Sequence, residues 1–292
     1  MTPLEQYPKL AEKIGTSNLY FKREDLHKYG SHKGRSIPFM IDFYYKKGDR
    51  KFAISSSGNA ALAGAKYVAE FNATNNDKIY LDIFVGHNVN ESKLKKLKTL
   101  EQENSSNLRV LIKERPLQAL NQAIEEGYRS LRQSTDDVAL SGYVSLANEL
   151  TEDPGLGAVF IGTSSGTTAQ ALAQYFIDNK INTQVHIVQT SSCHPIVDQF
   201  ENYDGPQEKS LADAIVAQTT ERMQILVDLI NKTGGYAWTA TNDEIEMARE
   251  LVLTNTDVII SNNSALSIVG VMQAVYRDWK IDGEIVCLIC GD

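Results

Sequence analysis

The sequence predicts a two-domain α/β protein built on mostly parallel sheets. Three observations carry this. The 292 residues amount to two compact units at ~150 residues per domain. Short apolar runs of strand type alternate with longer stretches at helical spacing. No repeat or low-complexity tract interrupts that order. Hydrophobic residues at 42% and charged residues at 23% are ordinary globular usage, which excludes a disordered tail, a collagen-like rod and a long coiled coil. With 29 basic against 37 acidic residues and a formal charge of −8, the surface repels polyanions, so nucleic acid is not an expected partner.

The segment from Met1 to Lys13 is polar and carries Glu5, Lys9, Glu12 and Lys13, so it lacks the apolar core of a secretion signal. No apolar run approaches the ~18 to 20 residues that cross a bilayer, so no membrane partner is expected. The cysteines are Cys193, Cys287 and Cys290, a count that fits a reducing compartment rather than a disulfide scaffold. The expected location is the cytoplasm.

Strands are expected at Asn18 to Lys22, Lys51 to Ser55, Ile79 to Val85, Arg109 to Ile112, Ala158 to Gly162, Gln184 to Gln189, Val258 to Ser261 and Glu284 to Ile289, each a short apolar run. Helical spacing marks Ala60 to Phe71, Glu91 to Leu100, Pro116 to Arg132, Thr168 to Asn179, Ser210 to Thr233, Asn242 to Thr254 and Ala265 to Trp279. Polar residues Gln133 to Asp137, followed by Ser141 and Gly142, mark one domain break, and Thr151 to Gly157, with Pro154, Gly155 and Gly157, marks a second candidate.

Three apolar strands run through small hydroxylated residues directly into a helix. The first is Phe52-Ala53-Ile54 into Ser55-Ser56-Ser57-Gly58-Asn59 and the helix from Ala60. The second is Val159-Phe160-Ile161 into Gly162-Thr163-Ser164-Ser165-Gly166-Thr167-Thr168. Such turns aim the first helical N–H groups at one spot, where the dipole favours negative charge, so they bind phosphate or carboxylate. Simple N-capping by Ser or Thr explains one such loop; two of this density point to a pair of anion sites. Neither contains Lys or Arg, which suggests a backbone cradle, and no Gly-Lys-Ser/Thr follows the second, so it is not a Walker loop. The third turn, Ile259-Ile260-Ser261-Asn262-Asn263-Ser264, reads as a capped helix.

Lys22-Arg23-Glu24-Asp25-Leu26-His27-Lys28-Tyr29-Gly30-Ser31-His32-Lys33-Gly34-Arg35 is dense in polar chemistry. A lysine at a helix N-terminus, beside the positive dipole end, favours the neutral amine that carbonyl condensation needs, and Lys33 fits that description. The alternative is that Lys22, Lys28 and Lys33 are solvated loop charges. Cys287 and Cys290 lie three apart on a strand and face opposite sides, so no metal pair is expected.

Taken in order, Lys22-Arg23-Glu24-Asp25-Leu26, Gly30-Ser31-His32-Lys33-x-Arg35, Ser56-Ser57-Gly58-Asn59-Ala60-Ala61 and Gly162-Thr163-Ser164-Ser165-Gly166-Thr167 resemble the fold type II pyridoxal-phosphate enzymes, with threonine synthase and the tryptophan synthase β-chain group nearest in look. The resemblance extends to Gly142-Tyr143, Val188-Gln189, Ala212-Asp213 and the closing Val286 to Gly291. It implies the tryptophan synthase β-like fold: three-layer parallel sheets, a larger cofactor-binding domain of residues 1–40 and 142–292, a smaller domain of 41–141, and pyridoxal 5'-phosphate in the cleft between them.

By the same resemblance Lys33 forms the Schiff base and moves protons at the substrate α-carbon. Gly162, Thr163, Ser164, Ser165, Gly166 and Thr167 hold the cofactor phosphate, with His32 touching it or serving as an ordinary loop residue. Asn59 bonds the ring hydroxyl, and Ser56, Ser57, Gly58, Asn59 and Ala60 grip the substrate carboxylate. Cys290 takes the position of the small residue facing the pyridine nitrogen, and no metal is implied. The resemblance implies a homodimer and an amino-acid lyase or synthase working by β- or γ-elimination or replacement, its most specific version turning phosphohomoserine into threonine. Serine or threonine deamination and cysteine-type synthesis stay open. So does an inactive binding protein or accessory subunit, motivated by His27-Lys28-Tyr29 where members usually show Asn-Pro-Thr, Gly34 where they show aspartate, and Asn262-Asn263-Ser264 where they show a Glu-Pro-Ser-like turn.

Overall fold

In a computed structural model, which describes residues 1–87, 89–152 and 155–291, the chain divides into two compact units, Met1–His27 with Tyr143–Asp292, and Lys28–Gly142. The second candidate break, 151–157, includes Asp153 and Pro154, which lie outside the described residues. The larger unit opens with β1 (Leu4–Gln6), α1 (Pro8–Ile14) and β2 (Leu19–Arg23). The smaller unit follows with α2 (Lys33–Lys46), β3 (Lys51–Ser55), α3 (Asn59–Thr74), β4 (Tyr80–Val85), α4 (Glu91–Glu103), β5 (Leu108–Ile112), α5 (Pro116–Glu125), β6 (Arg129–Ser130) and α6 (Val138–Ser141). The chain then returns with α7 (Val144–Leu150), β7 (Leu156–Gly162), α8 (Thr167–Asp178), β8 (Gln184–Thr190), α9 (Met223–Lys232), β9 (Ala237–Ala240), α10 (Asn242–Asn255), α11 (Asn262–Tyr276) and β10 (Glu284–Ile289).

The larger unit holds a six-stranded sheet in the order β1-β2-β10-β7-β8-β9, antiparallel only at β1 with β2. Phe21, Phe160, Val188, Trp238 and Cys287 bury on one face with Leu10 of α1, Ile245 of α10 and Leu266 of α11. Val159, Ile161, Ile187 and Leu288 alternate with that set and are buried too, as strands covered on both faces must be. The smaller unit holds a parallel sheet in the order β5-β4-β3-β6. Phe52, Ile54, Leu81 and Ile83 pack with Ile37 and Met40 of α2 and Ala65 and Val68 of α3, while Ala53 and Phe84 pack with Leu120 and Ala123 of α5. Residues 28–40, expected with the larger domain, pack in the smaller unit, because Ile37, Met40 and Ile41 enter its core and Ser36 Oγ donates to the Ala139 carbonyl at 2.8 Å.

Three expected elements differ. The helix expected at Pro116 to Arg132 stops at Glu125, and Arg129–Ser130 pair instead with Phe52 and Ala53 of β3. Val258 to Ser261 makes no strand: Val258 and Ile260 are buried and Ile259 is exposed, but both sides of β10 are already taken by β2 and β7. The helix expected at Ser210 to Thr233 begins only at Met223, because the backbone N–H groups of Leu211, Ala214, Val216 and Ala217 go to side chains of Asn242, Asn263 and Ser164. Among the described residues no helix is long and apolar enough to cross a membrane, and no three His, Cys, Asp or Glu side chains could hold a metal ion.

One buried polar network sits inside the larger sheet. His186 of β8 stacks on Phe160 at 4.3 Å, and its Nδ1 accepts from Trp238 Nε1 at 3.2 Å. Indole only donates, so the proton resides on Nε2, which donates to Gln184 Oε1 at 2.9 Å. Gln184 Oε1 also accepts from Trp279 Nε1 at 3.1 Å. Burial holds the imidazole down at about 3 from its ordinary 6.5. A group harder to protonate when folded lets the unfolded chain bind the extra proton, so its stabilisation is complete above pH 6.5 and is lost as pH falls toward 3. Urea unfolding at about pH 7.5 and about pH 5 should show a loss of about 2 kcal/mol from this group that His186→Gln lacks; equal losses in both proteins contradict it.

Candidate functional site

The larger unit has an open helix start where β7 runs into α8. Thr163 N donates to Val188 O at 2.9 Å, carrying the sheet one residue past the strand. Gly166 then adopts φ +88° and precedes α8, which has no side-chain cap. The first N–H groups of a helix lack intrahelical partners, and here no side-chain oxygen of the capping residue meets them. The hydroxyls of the loop largely serve the protein. Thr163 Oγ1 donates to Ile161 O at 3.2 Å, Ser165 Oγ lies 3.3 Å from Thr167 Oγ1, and Ser164 Oγ accepts from the N–H groups of Val216 and Ala217 at 3.2 Å each. What remains for a ligand is chiefly the backbone.

The smaller unit has a second open helix start where β3 runs into α3. Gly58 precedes the helix, again without a side-chain cap, and its N–H reaches Ser56 Oγ at 3.3 Å. Ser56, Ser57, Gly58, Asn59 and Ala60 are all half-buried, accessible to a small molecule. Lys33 is the first residue of α2 and is half-buried, behind buried Ser31 and His32. The turn before it is fixed: Gly34 N donates to Ser31 O and Arg35 N to His32 O, and Tyr29 OH donates to Glu70 at 2.7 Å. Desolvation, with Glu70 beside it, raises the Tyr29 phenol to about 12.

The other lysines of that stretch are not alike. Lys22 is buried, donating to Thr2 O at 2.8 Å and Glu149 at 2.7 Å, so it is a structural ion pair rather than a solvated charge. Lys28 is exposed and pairs with Glu70 at 3.0 Å. The third turn is a capped helix, as expected: Ser261 Oγ accepts from Ser264 N at 3.2 Å. Cys290 is buried at the end of β10, and its N–H donates to Ser264 Oγ at 3.1 Å. Cys287 lies in the core against Ser267 O, where burial pushes its thiol up.

Sequence reasoning missed Thr220 and gave Gln189 no role beyond its part in the resemblance. Gln189 is fully buried and donates to Ser164 O at 3.4 Å, and Thr220 Oγ1 donates to Ser165 O at 2.8 Å. No local signal marks either, since each acts on a loop far away in the chain.

A family model described as pyridoxal-phosphate dependent enzyme matches residues 1–291. The chain belongs to that family. A threonine synthase of Mycobacterium leprae is 24% identical over 300 residues, spanning 100% of this chain and 81% of the relative. One of Methanocaldococcus jannaschii is 23% identical over 313 residues, spanning 99% and 74%. Among solved structures, a pyridoxal 5'-phosphate-dependent aspartate racemase matches with TM-score 0.83 at 20% identity, over 99% of this chain and 89% of that one. Threonine deaminase isoform 2 from Solanum lycopersicum matches with TM-score 0.80 at 20% identity, over 99% and 83%. The fold is thus the tryptophan synthase β-like one expected from the sequence, and pyridoxal 5'-phosphate is the cofactor of the family.

The residues present fit that cofactor. The loop at the head of α8 offers backbone donors and hydroxyls with no carboxylate among residues 162–168, the donor chemistry a phosphate needs. A side chain at Gly166 would be strained at φ +88° and would put its Cβ 2.4 Å from Leu226 Cδ2. Gly166→Ala should therefore cost about 1 to 2 kcal/mol from backbone strain alone, read as a lowered thermal midpoint, and should shrink the stabilisation that added pyridoxal phosphate confers. An unchanged midpoint with an unchanged cofactor effect contradicts this geometry.

Proposed function

We propose that this enzyme removes or replaces a substituent at the β- or γ-carbon of an amino acid, as a threonine synthase does. One observation carries it: a single amine, Lys33, heads α2, while α3 and α8 each begin at a glycine with no side-chain cap behind a loop of Ser, Thr and Gly. One amine and two anion seats are what a phosphate-bearing aldehyde and an amino acid require together. The two full-length threonine synthase relatives support the choice of reaction.

Pyridoxal phosphate, when bound, supplies an electron sink that makes the substrate α-carbon acidic. The protein supplies the rest. Lys33 Nζ holds the cofactor aldehyde and then carries the proton to and from the α-carbon. N–H groups and hydroxyls at 162–168 seat the cofactor phosphate, and His32 is a further candidate to bind it. Ser56, Ser57 and the N–H groups of Gly58, Asn59 and Ala60 would hold and orient the substrate carboxylate. Asn59 orients the ring, and Cys290 takes the place facing its nitrogen, with no carboxylate offered there. A cytoplasmic homodimer belongs to the same proposal.

The test is turnover. The protein loaded with pyridoxal phosphate is offered phosphohomoserine, serine, threonine and O-acetylserine, and released phosphate, ammonia, keto acid and new amino acid are assayed. The expected result is phosphate and threonine from phosphohomoserine, lost by 10³-fold or more in Lys33→Ala, in line with removing a covalent catalytic group. Ammonia and keto acid from serine or threonine alone would move the assignment to a deaminase, and bound cofactor with no turnover on any of them would overturn it in favour of a binding protein.

A further inference from the structure

The seat at 162–168 is oriented from behind by a stretch of chain with no regular structure. Residues 209–222 contain neither helix nor strand, and most of their side chains are exposed; Ala212 and Ile215 alone enter the core cluster. Side-chain hydrogen bonds hold the stretch at one end. Leu211 N donates to Asn242 Oδ1 at 2.9 Å and Asn242 Nδ2 to Lys209 O at 3.0 Å. Asn262 Nδ2 donates to Leu211 O at 3.1 Å, Ala214 N to Asn263 Oδ1 at 3.1 Å, and Asn263 Nδ2 to Asp213 Oδ1 at 3.1 Å. Asn262 and Asn263 belong to the third strand-to-helix turn of the sequence.

The other end grips the loop. Val216 N and Ala217 N donate to Ser164 Oγ. Thr220 Oγ1 donates to Ser165 O at 2.8 Å while accepting from Arg222 N at 3.2 Å. Arg222 Nη1, buried, donates to Gln170 Oε1 of α8 at 2.9 Å. From the sheet side, Gln189 Nε2 donates to Ser164 O at 3.4 Å and its Oε1 accepts from Ile196 N and Val197 N at 2.8 and 3.2 Å. The carbonyls of Ser164 and Ser165 are therefore both drawn toward Gln189 and Thr220. In a trans peptide the C=O and the following N–H point in opposite directions, and no cis bond occurs among the described residues. The N–H of Ser165 therefore points away from Gln189, and the N–H of Gly166 points away from Thr220.

We infer that residues 209–222 form a strap that positions the cofactor-phosphate seat, with Thr220 as the positioning residue that turns the Ser165–Gly166 peptide so its N–H faces the phosphate. This rests on the assignment of 162–168 to the cofactor phosphate. Thr220 touches neither cofactor nor substrate; it acts through the Ser165 carbonyl.

The experiment compares dissociation constants for pyridoxal phosphate and for pyridoxal, which lacks the phosphate, in the full-length wild type, Thr220→Val and Thr220→Ser, followed by absorbance and by ³¹P resonance of bound cofactor. Thr220→Val should weaken pyridoxal phosphate about tenfold, the scale of one charge-assisted hydrogen bond, shift the ³¹P signal and leave pyridoxal within about twofold; Thr220→Ser should restore wild-type values. A variant that keeps the wild-type ratio of the two constants, whether both are unchanged or both weakened alike, overturns the inference. If the wild type itself does not prefer pyridoxal phosphate to pyridoxal, the phosphate-seat assignment fails instead. Should Thr220→Val not fold, Asn263→Ala, which frees the far end of the strap, is expected to lower the same ratio severalfold, and an unchanged ratio there overturns the inference equally.

Discussion

A trans peptide cannot aim its N–H and its C=O in the same direction, and the loop between β7 and α8 depends on that constraint. Sheet, strap and helix all meet there. The ladder delivers the chain through Thr163 N to Val188 O, the strap takes the Ser165 carbonyl, and Gln189 takes that of Ser164. Gly166 then turns left-handed and its own carbonyl opens α8 by accepting from Gln170 N at 2.8 Å. With each carbonyl held by its partner, the N–H that follows it is held pointing away from that partner, and the proposed phosphate seat uses this preorganisation.

Some helix starts are closed by a side chain and others are left open. Asn90, Thr241 and Ser261 each close the N-terminus of their helix with a side-chain oxygen, and Thr241 does so with Glu244 in a reciprocal box. Gly58 and Gly166 do not. For the proposed seats an open start matters, because an oxygen already bonded to the first N–H groups would occupy the place of a carboxylate or phosphate. The same economy explains the buried His186 network, where every polar atom of the imidazole is matched by Trp238 or Gln184, so the sheet that carries the seat tolerates a polar ring in its middle.

Much of this was legible in the sequence because both sheets are covered on two faces. A strand such as Leu156–Gly162, buried along its length but for its last residue, reads as an unbroken apolar run, and the loops of Ser, Thr and Gly that end β3 and β7 stand out against it. Lys33 could be singled out because it opens a helix among glycines. What stayed hidden has short range or long reach. β6 has two residues and β1 three, too few for a period to show, and β9 is a four-residue edge strand. The alternation at Val258 to Ile260 is real burial without a pairing partner. The strap looked helical because Leu211, Ala212, Ile215 and Val216 recur at nearly helical spacing, whereas its N–H groups are claimed by asparagines 31 and 49 positions away. Tethers of that kind leave no trace in a local window.

The central proposal is that Lys33 is the amine that binds the cofactor aldehyde. The most direct measurement is to load the protein with pyridoxal phosphate, reduce it with borohydride, digest it and locate the pyridoxyl group by mass spectrometry. A single adduct on Lys33 is expected. Label on Lys22, Lys28 or Lys66, label scattered over many lysines, or none at all would contradict the account.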